Sequence, residues 1–193
     1  MVNSQSIALI SMPGGGKSTV GRHLARRLDW RFTDCDSLIE ERVGCSIRSF
    51  FEREGEARFR DIEEQVVAEL AGRDHSVLAT GGGVVLREAN RIALRERCVV
   101  VYLRSSPEDL FRRLRHDRKR PLLQVADPLT RLRELHATRD PLYRQTAHFN
   151  IDTGRPSVPT LVNTILMQLE LAGIVDSIQV PSPIDAPGHE HKA

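Results

Sequence analysis

The sequence predicts an α/β protein in which helices cover both faces of a parallel sheet, and three observations carry that reading. Strand-like and helix-like segments alternate along most of the 193 residues, the order that builds parallel βαβ units. The run Cys98-Val99-Val100-Val101-Tyr102-Leu103 is apolar without alternation, as a central parallel strand buried on both faces must be. A glycine-rich turn, Pro13-Gly14-Gly15-Gly16, joins the first apolar run to a helical pattern, the place where phosphate-binding folds pass from strand to helix.

The elements follow in order. Residues 6–10 form a short apolar strand, and a helix runs from about Lys17 to Leu28, with Val20, Leu24 and Leu28 stepping by four. Residues 30–33 read as a second strand closing on Asp34-Cys35-Asp36. Helical patterns cover about 37–43 and 46–71; Phe59, Ile62, Val66 and Leu70 share one face of the second, and Gly55 marks a break within it. A third strand at 76–79 ends on Gly81-Gly82-Gly83, and a helix is expected over 87–95. After the central strand at 98–103, Ser106-Pro107-Glu108-Asp109 opens a helix with a cap, an early proline and early acids. A helix at 128–146, a strand at 148–151 and a helix from Pro159 to about Leu171 complete the pattern. Beyond Ala172 the composition turns to Pro, Ser, Gly and His. One folded domain over 1–172 and a disordered tail over 173–193 are therefore expected.

Composition narrows the function classes. A chain of this length, 40% hydrophobic, can bury a core without disulfides or a structural metal. Its three cysteines form no C-x-x-C pair, which suits free thiols in a reducing compartment and argues against a zinc site. No apolar run approaches the roughly 20 residues of a membrane span, and the polar start reads as no signal peptide. A formal charge of +2 points to neither nucleic acid nor membrane as a global partner.

The strongest motif is Ser11-Met12-Pro13-Gly14-Gly15-Gly16-Lys17-Ser18-Thr19, set against the P-loop pattern G-x-x-x-x-G-K-[ST]. Glycines there let backbone N–H groups turn inward onto phosphates, and the helix N-terminus adds a positive dipole. Lys17 would reach the β- and γ-phosphates and the Ser18 hydroxyl would bind Mg²⁺. Ser11 departs from the pattern by replacing the first glycine. A chance glycine-rich turn before a lysine is the alternative, opposed by the strand before it and the helix after it.

Acceptor groups belong at the carboxyl ends of the strands. Asp34 and Asp36 end the second strand and, two apart, would point to one side of it. They could divide metal and proton duties, or Asp36 could simply cap the next helix. The glycines at 81–83 permit close backbone approach to a ligand or form a flexible turn. Arg60 and Glu63 lie one helical turn apart, and Arg139 precedes Asp140-Pro141; either arginine could be no more than a solvated charge. The basic stretch at 112–120 could bind nucleic acid. Only Phe111 adjoins it, so base-stacking platforms are missing, and a flap closing on triphosphate explains it better.

Six local motifs stand in one order: the P-loop, F-x-D-x-D at 32–36, F-R-x-x-E at 59–63, the triple glycine, R-P-L-L at 120–123 and R-x-P-L-Y at 139–143. Over residues 6–170 this set resembles the shikimate kinases, within the nucleoside-monophosphate-kinase-like P-loop group. The resemblance implies a three-layer P-loop fold, with a five-stranded parallel sheet and a mobile lid at about 112–126. It implies that Asp36 contacts the acceptor hydroxyls and acts as base, and that Asp34 orders Mg²⁺ through water. Arg60 and Arg139 would grip a carboxylate, with Gly82 giving a backbone contact and Glu63, Gly81 and Gly83 beside it. Gly14, Gly15, Gly16, Lys17, Ser18 and Thr19 would hold ATP. Arg120 would be the lid arginine, Arg113 would stack on adenine and Arg155 would lie in the adenine loop. The implied reaction is phosphoryl transfer from ATP to shikimate by a cytoplasmic monomer that binds neither nucleic acid nor membrane. A kinase for another polyol acid such as gluconate, a nucleotide switch without transfer chemistry, and a nucleic-acid-binding protein are the rivals. Asp36 together with Arg60 and Arg139 speaks against the first, Asp36 as an available base against the second, and the lack of aromatic residues against the third.

Overall fold

The computed structural model describes residues 6–114, 125–154 and 156–176. Arg120, Arg155 and most of the predicted lid fall outside them. Five strands form the sheet: β1 (Ser6–Ile10), β2 (Arg31–Asp34), β3 (Ser76–Ala79), β4 (Val99–Arg104) and β5 (Phe149–Asp152). All neighbours are parallel, in the order β2-β3-β1-β4-β5. The helices are α1 (Lys17–Leu28), α2 (Cys35–Val43), α3 (Ile47–Leu70), α4 (Glu88–Arg97), α5 (Pro107–Leu114), α6 (Pro128–Thr146) and α7 (Val158–Leu171).

The unbroken apolar character of β1 and β4 has its reason in the two cores. Side chains alternate across a strand, so Ile7 and Leu9 join Val99 and Val101 beneath α1 and α7. Ala8 and Ile10 join Val100 and Tyr102 in the opposite core, against residues of α2, α3, α4 and α6. A polar residue at either parity would be buried, and the sheet is covered on both faces as the sequence predicts.

Two local features differ from the sequence-based expectation. A 3-10 turn at Val84–Leu86 precedes α4, where the pattern predicts loop. Past α7, Gly173 takes φ 68 and the Ile174 N–H donates to the Leu169 carbonyl at 2.9 Å. This left-handed C-cap returns Val175 to the core, where it is buried. The packed chain thus runs past Ala172, because Ile174 and Val175 are apolar in a stretch whose composition otherwise turns polar.

The sheet order sets β1 between β3 and β4. The connection from β1 runs to β2 on one side and that from β3 runs to β4 on the other, which opens a crevice between the carboxyl ends of β1 and β3, the usual ligand position in such sheets. The phosphate loop, Asp34 and the triple glycine follow β1, β2 and β3 at that end.

Candidate active site

The loop after β1 folds as the motif demands. Gly14 (φ 81) and Gly16 (φ 86) are left-handed, and Gly16 caps the start of α1. Lys17 Nζ turns back onto the loop and donates to Ser11 O at 3.3 Å, Ser11 Oγ at 3.0 Å and Met12 O at 3.4 Å. A cleft of about 280 Å³ lies over Gly14, Gly16, Lys17, Ser18 and Thr19 and reaches Asp34, Asp36 and Thr80.

Asp34 and Asp36 arrive by a different route from the one their spacing predicts. Asp34 is the last residue of β2 and the N-cap of α2, its Oδ1 accepting from the Ser37 N–H at 3.2 Å. Asp36 belongs to the first turn of that helix, so the strand parity invoked for the pair does not apply. The capping role lies with Asp34, which leaves the Asp36 carboxylate for the cavity. The Ser18 hydroxyl donates to Asp34 Oδ2.

Beside the cleft lies a larger cavity of about 620 Å³. Its charged lining includes Asp36, Arg48, Glu52, Arg60, Glu63 and Arg139, and its apolar lining Pro13, Ile47, Phe51 and Phe59. Arg60 rises from α3, donates to Glu63 Oε2 at 2.7 Å and to Glu56 at 3.1 Å, and lies over the Phe59 ring at 5.1 Å. Arg139 Nη1 donates to the Gly82 carbonyl at 3.2 Å, and the buried Tyr143 hydroxyl donates to the same oxygen. The three glycines are needed for room. A Cβ at Gly83 would meet the Arg60 guanidinium, one at Gly82 the Pro13 ring, and one at Gly81 both Asp36 and Glu63.

These groups sit in a partly dry, charged environment. Burial pushes the Asp36 carboxyl above the ordinary range, against the pull of Lys17, while Asp34 and Glu40 push the same way as burial. Burial also raises Glu63, opposed by Arg60. Glu63 is 1% exposed and its Oε1 has no hydrogen-bond partner among the described residues. An orphaned buried acceptor beside two arginines suits a site that receives a polar ligand.

The structure therefore brings Asp36, Arg60, Glu63, Gly81, Gly82, Gly83 and Arg139 to one cavity and the loop residues to the cleft beside it. Arg113 stands elsewhere, donating to Ser105 Oγ at 3.3 Å and to the Thr153 carbonyl at the carboxyl ends of β4 and β5. Sequence reasoning missed the apolar wall. Phe51 and Phe59 sit on either side of the Gly55 break, with ring centroids 4.8 Å apart, and that break was the available signal. It also assigned no role to Tyr143, although the residue closes the R-x-P-L-Y motif.

Fold and site together define a P-loop kinase of small molecules: a nucleotide cleft and an acceptor cavity meeting at one carboxylate. The family model described as shikimate kinase matches residues 13–170. The shikimate kinase of Paracidovorax citrulli (strain AAC00-1) is 62% identical over 181 residues, covering 92% of this chain and 97% of that protein. That of Ralstonia nicotianae is 55% identical over 178 residues, with 92% and 94% covered. Among solved structures, shikimate kinase from Acinetobacter baumannii in complex with shikimate is similar at a TM-score of 0.82. It is 44% identical, with 89% of this chain and 96% of that one covered. The chain belongs to the shikimate kinase family.

Proposed function

We propose that this protein transfers the γ-phosphoryl group of ATP to the 3-hydroxyl of shikimate, giving ADP and shikimate 3-phosphate. The observation that carries the reading is the position of Asp36. It borders both the phosphate-loop cleft and a cavity furnished with three arginines, Arg48, Arg60 and Arg139, so one carboxylate faces a hydroxyl on one side and a phosphate chain on the other. Arg60 and Arg139 suit the carboxylate of the acceptor, since guanidinium pairs with carboxylate in a planar fork. The Gly82 N–H adds a backbone donor, and Phe51, Phe59 and Pro13 cover the apolar parts of the ring. Asp36 accepts the proton of the hydroxyl as its oxygen attacks phosphorus. Lys17 and the backbone N–H groups of residues 14–19 meet negative charge on the phosphates, and Arg120 from the lid joins them.

The oxygen set at Ser18 and Asp34 fits Mg²⁺. Such an ion takes one or two protein oxygens with phosphates and water rather than an all-protein cage, and Ser18 and Asp34 would hold it. The hydroxyl and the carboxylate already meet in a hydrogen bond. Bound there, Mg²⁺ would neutralise charge on the β- and γ-phosphate oxygens. No helix among the described residues is long and apolar enough to cross a membrane. Three cysteines without a C-x-x-C pair suit a reducing compartment, and a cytoplasmic monomer is our reading. The kinase domain would extend beyond Ala172 to at least Val175, with its lid at about 112–126.

A coupled ADP-release assay with shikimate, gluconate and nucleoside monophosphates tests the reading. Mg²⁺-dependent turnover of roughly 1–100 s⁻¹ is expected with shikimate. Equal turnover with gluconate, or none with millimolar shikimate, would refute it. Arg120→Ala should slow turnover; an unchanged rate together with salt-sensitive nucleic-acid binding would favour the basic stretch as a nucleic-acid patch.

A further inference from the structure

We propose that Ser11 is a positioning residue for Lys17, matched to Gly15 in an arrangement that reverses two positions of the phosphate-loop pattern; the inference rests on the role given to Lys17 above. The pattern asks for glycine at its first position and accepts any residue at its fifth. Here the first position is Ser11 and the fifth is Gly15. A Cβ on Gly15 would lie 2.2 Å from Ser11 Oγ and 2.7 Å from Ser11 Cβ. The two positions share a space that holds one side chain. Gly14 and Gly16 take positive φ, whereas Gly15 does not. At Gly15 room is the constraint, and Ser11 imposes it.

The hydroxyl that fills this space is also spoken for. Ser11 is fully buried; its Oγ donates to the Met12 carbonyl at 2.8 Å and accepts from Lys17 Nζ at 3.0 Å. With its hydrogen committed to Met12, the oxygen presents lone pairs to the ammonium group. The accompanying acceptors, Ser11 O and Met12 O, lie farther off at 3.3 and 3.4 Å and are backbone atoms that any residue would supply. A lysine ammonium has three donors on a flexible stem. An anchor from beneath holds the end of that stem in place beside the loop and reduces the freedom lost when phosphate oxygens arrive. The glycine of the usual pattern has no such anchor.

The test uses the full chain with Ser11→Ala, Ser11→Gly, Gly15→Ala, the double variant Ser11→Gly/Gly15→Ala, and Lys17→Ala as control. The readouts are the KM of each substrate, kcat, ADP affinity and Tm. Ser11→Ala is expected to raise the ATP KM about 3- to 10-fold, the worth of one hydrogen bond, with the shikimate KM and Tm unchanged. Gly15→Ala should weaken ADP binding by about tenfold or more through overpacking, and adding Ser11→Gly should recover the affinity of Ser11→Gly alone. If Gly15→Ala does not fold, recovery of a folded, ADP-binding double variant reports the same pairing. Wild-type ATP kinetics in Ser11→Ala, or equal damage to both KM values and Tm, would overturn the positioning role. A double variant no better than Gly15→Ala would overturn the pairing. Should Lys17→Ala leave ATP kinetics and ADP affinity intact, the role of Lys17 fails as well. If Lys17→Ala is crippled while Ser11→Ala is not, the inference fails alone.

Discussion

Replacing Gly55 by alanine tests how α3 shapes the acceptor cavity. Gly55 has φ 81 and ψ 167 inside an otherwise helical stretch, a backbone region open essentially to glycine alone. An added Cβ would meet no atom within 4 Å, so the cost is purely conformational, about 1–3 kcal/mol. At about 2–4 °C per kcal/mol for a domain of this size, Tm should fall by about 2–12 °C. The chain can escape the strain by turning helical at residue 55, but residues 47–54 would then swing away. Ile47, Arg48, Phe51 and Glu52 would leave the cavity wall. The shikimate KM should then rise while the ATP KM holds, because none of these four residues lines the phosphate-loop cleft. Gly55→Asn should fare no better: asparagine tolerates a left-handed φ with ψ near 47°, not this extended ψ. Circular-dichroism melting and steady-state kinetics on both variants decide the matter. Wild-type Tm and shikimate KM in Gly55→Ala would show that the break at Gly55 does not shape the cavity.

The remaining predictions separate the roles of the other site residues. Truncating Arg60 or Arg139 to alanine should raise the shikimate KM roughly 10- to 150-fold, from about 1.5–3 kcal/mol per charge-assisted hydrogen bond, and spare the ATP KM. Asp36→Asn should lower kcat by about 10²- to 10⁴-fold with nucleotide affinity retained; near-normal kcat would remove Asp36 as the base. Because burial raises the Asp36 carboxyl, its stabilising contribution is complete below the unfolded value of about 3.9 and is lost as pH climbs through the higher folded one. Asp36→Asn should therefore melt higher than wild type at pH 7, with the gap closing towards pH 4. The same shift places the acid limb of the wild-type kcat/KM profile above the ordinary aspartate range. Tyr143→Phe removes one of two donors to the Gly82 carbonyl. Arg139 still serves that oxygen, so stability should drop by only about 0.5–1.5 kcal/mol. A raised shikimate KM would report tilting of the Gly82 peptide.

The sheet was legible because parallel strands buried on both faces leave an unmistakable apolar imprint, as residues 98–103 do. Helix α1 was legible to the residue, since the glycine-rich loop marks its start and the stepping of Val20, Leu24 and Leu28 carries it to its end. The site was legible where one motif sits on one element, as with Lys17 and Ser18, and less so where elements meet. Asp34 and Asp36 read as one strand pair, yet the chain turns into α2 between them, because the Asp34 carboxylate finds the Ser37 N–H. That choice depends on a local hydrogen bond, which spacing does not encode. Phe51 and Tyr143 escaped notice for a related reason. Tyr143 reaches the Gly82 carbonyl, far off in sequence, and Phe51 meets Phe59 across the break at Gly55, whose effect on direction the spacing alone does not give.

The wall between the cleft and the cavity is thin. Pro13, Asp36 and Gly82 border both spaces, and the Pro13 ring packs against Gly82 so closely that a Cβ there would lie 2.7 Å from it. A nucleotide that shifts Pro13 thereby shifts the backbone that greets the acceptor. Binding free energies are state functions, so whatever factor ATP applies to the affinity for shikimate, shikimate must apply to the affinity for ATP. Two titrations, each run with and without the other ligand, would have to return the same ratio. A shared ratio other than one would make the contact of the Pro13 ring with Gly82 a thermodynamic joint between the two spaces.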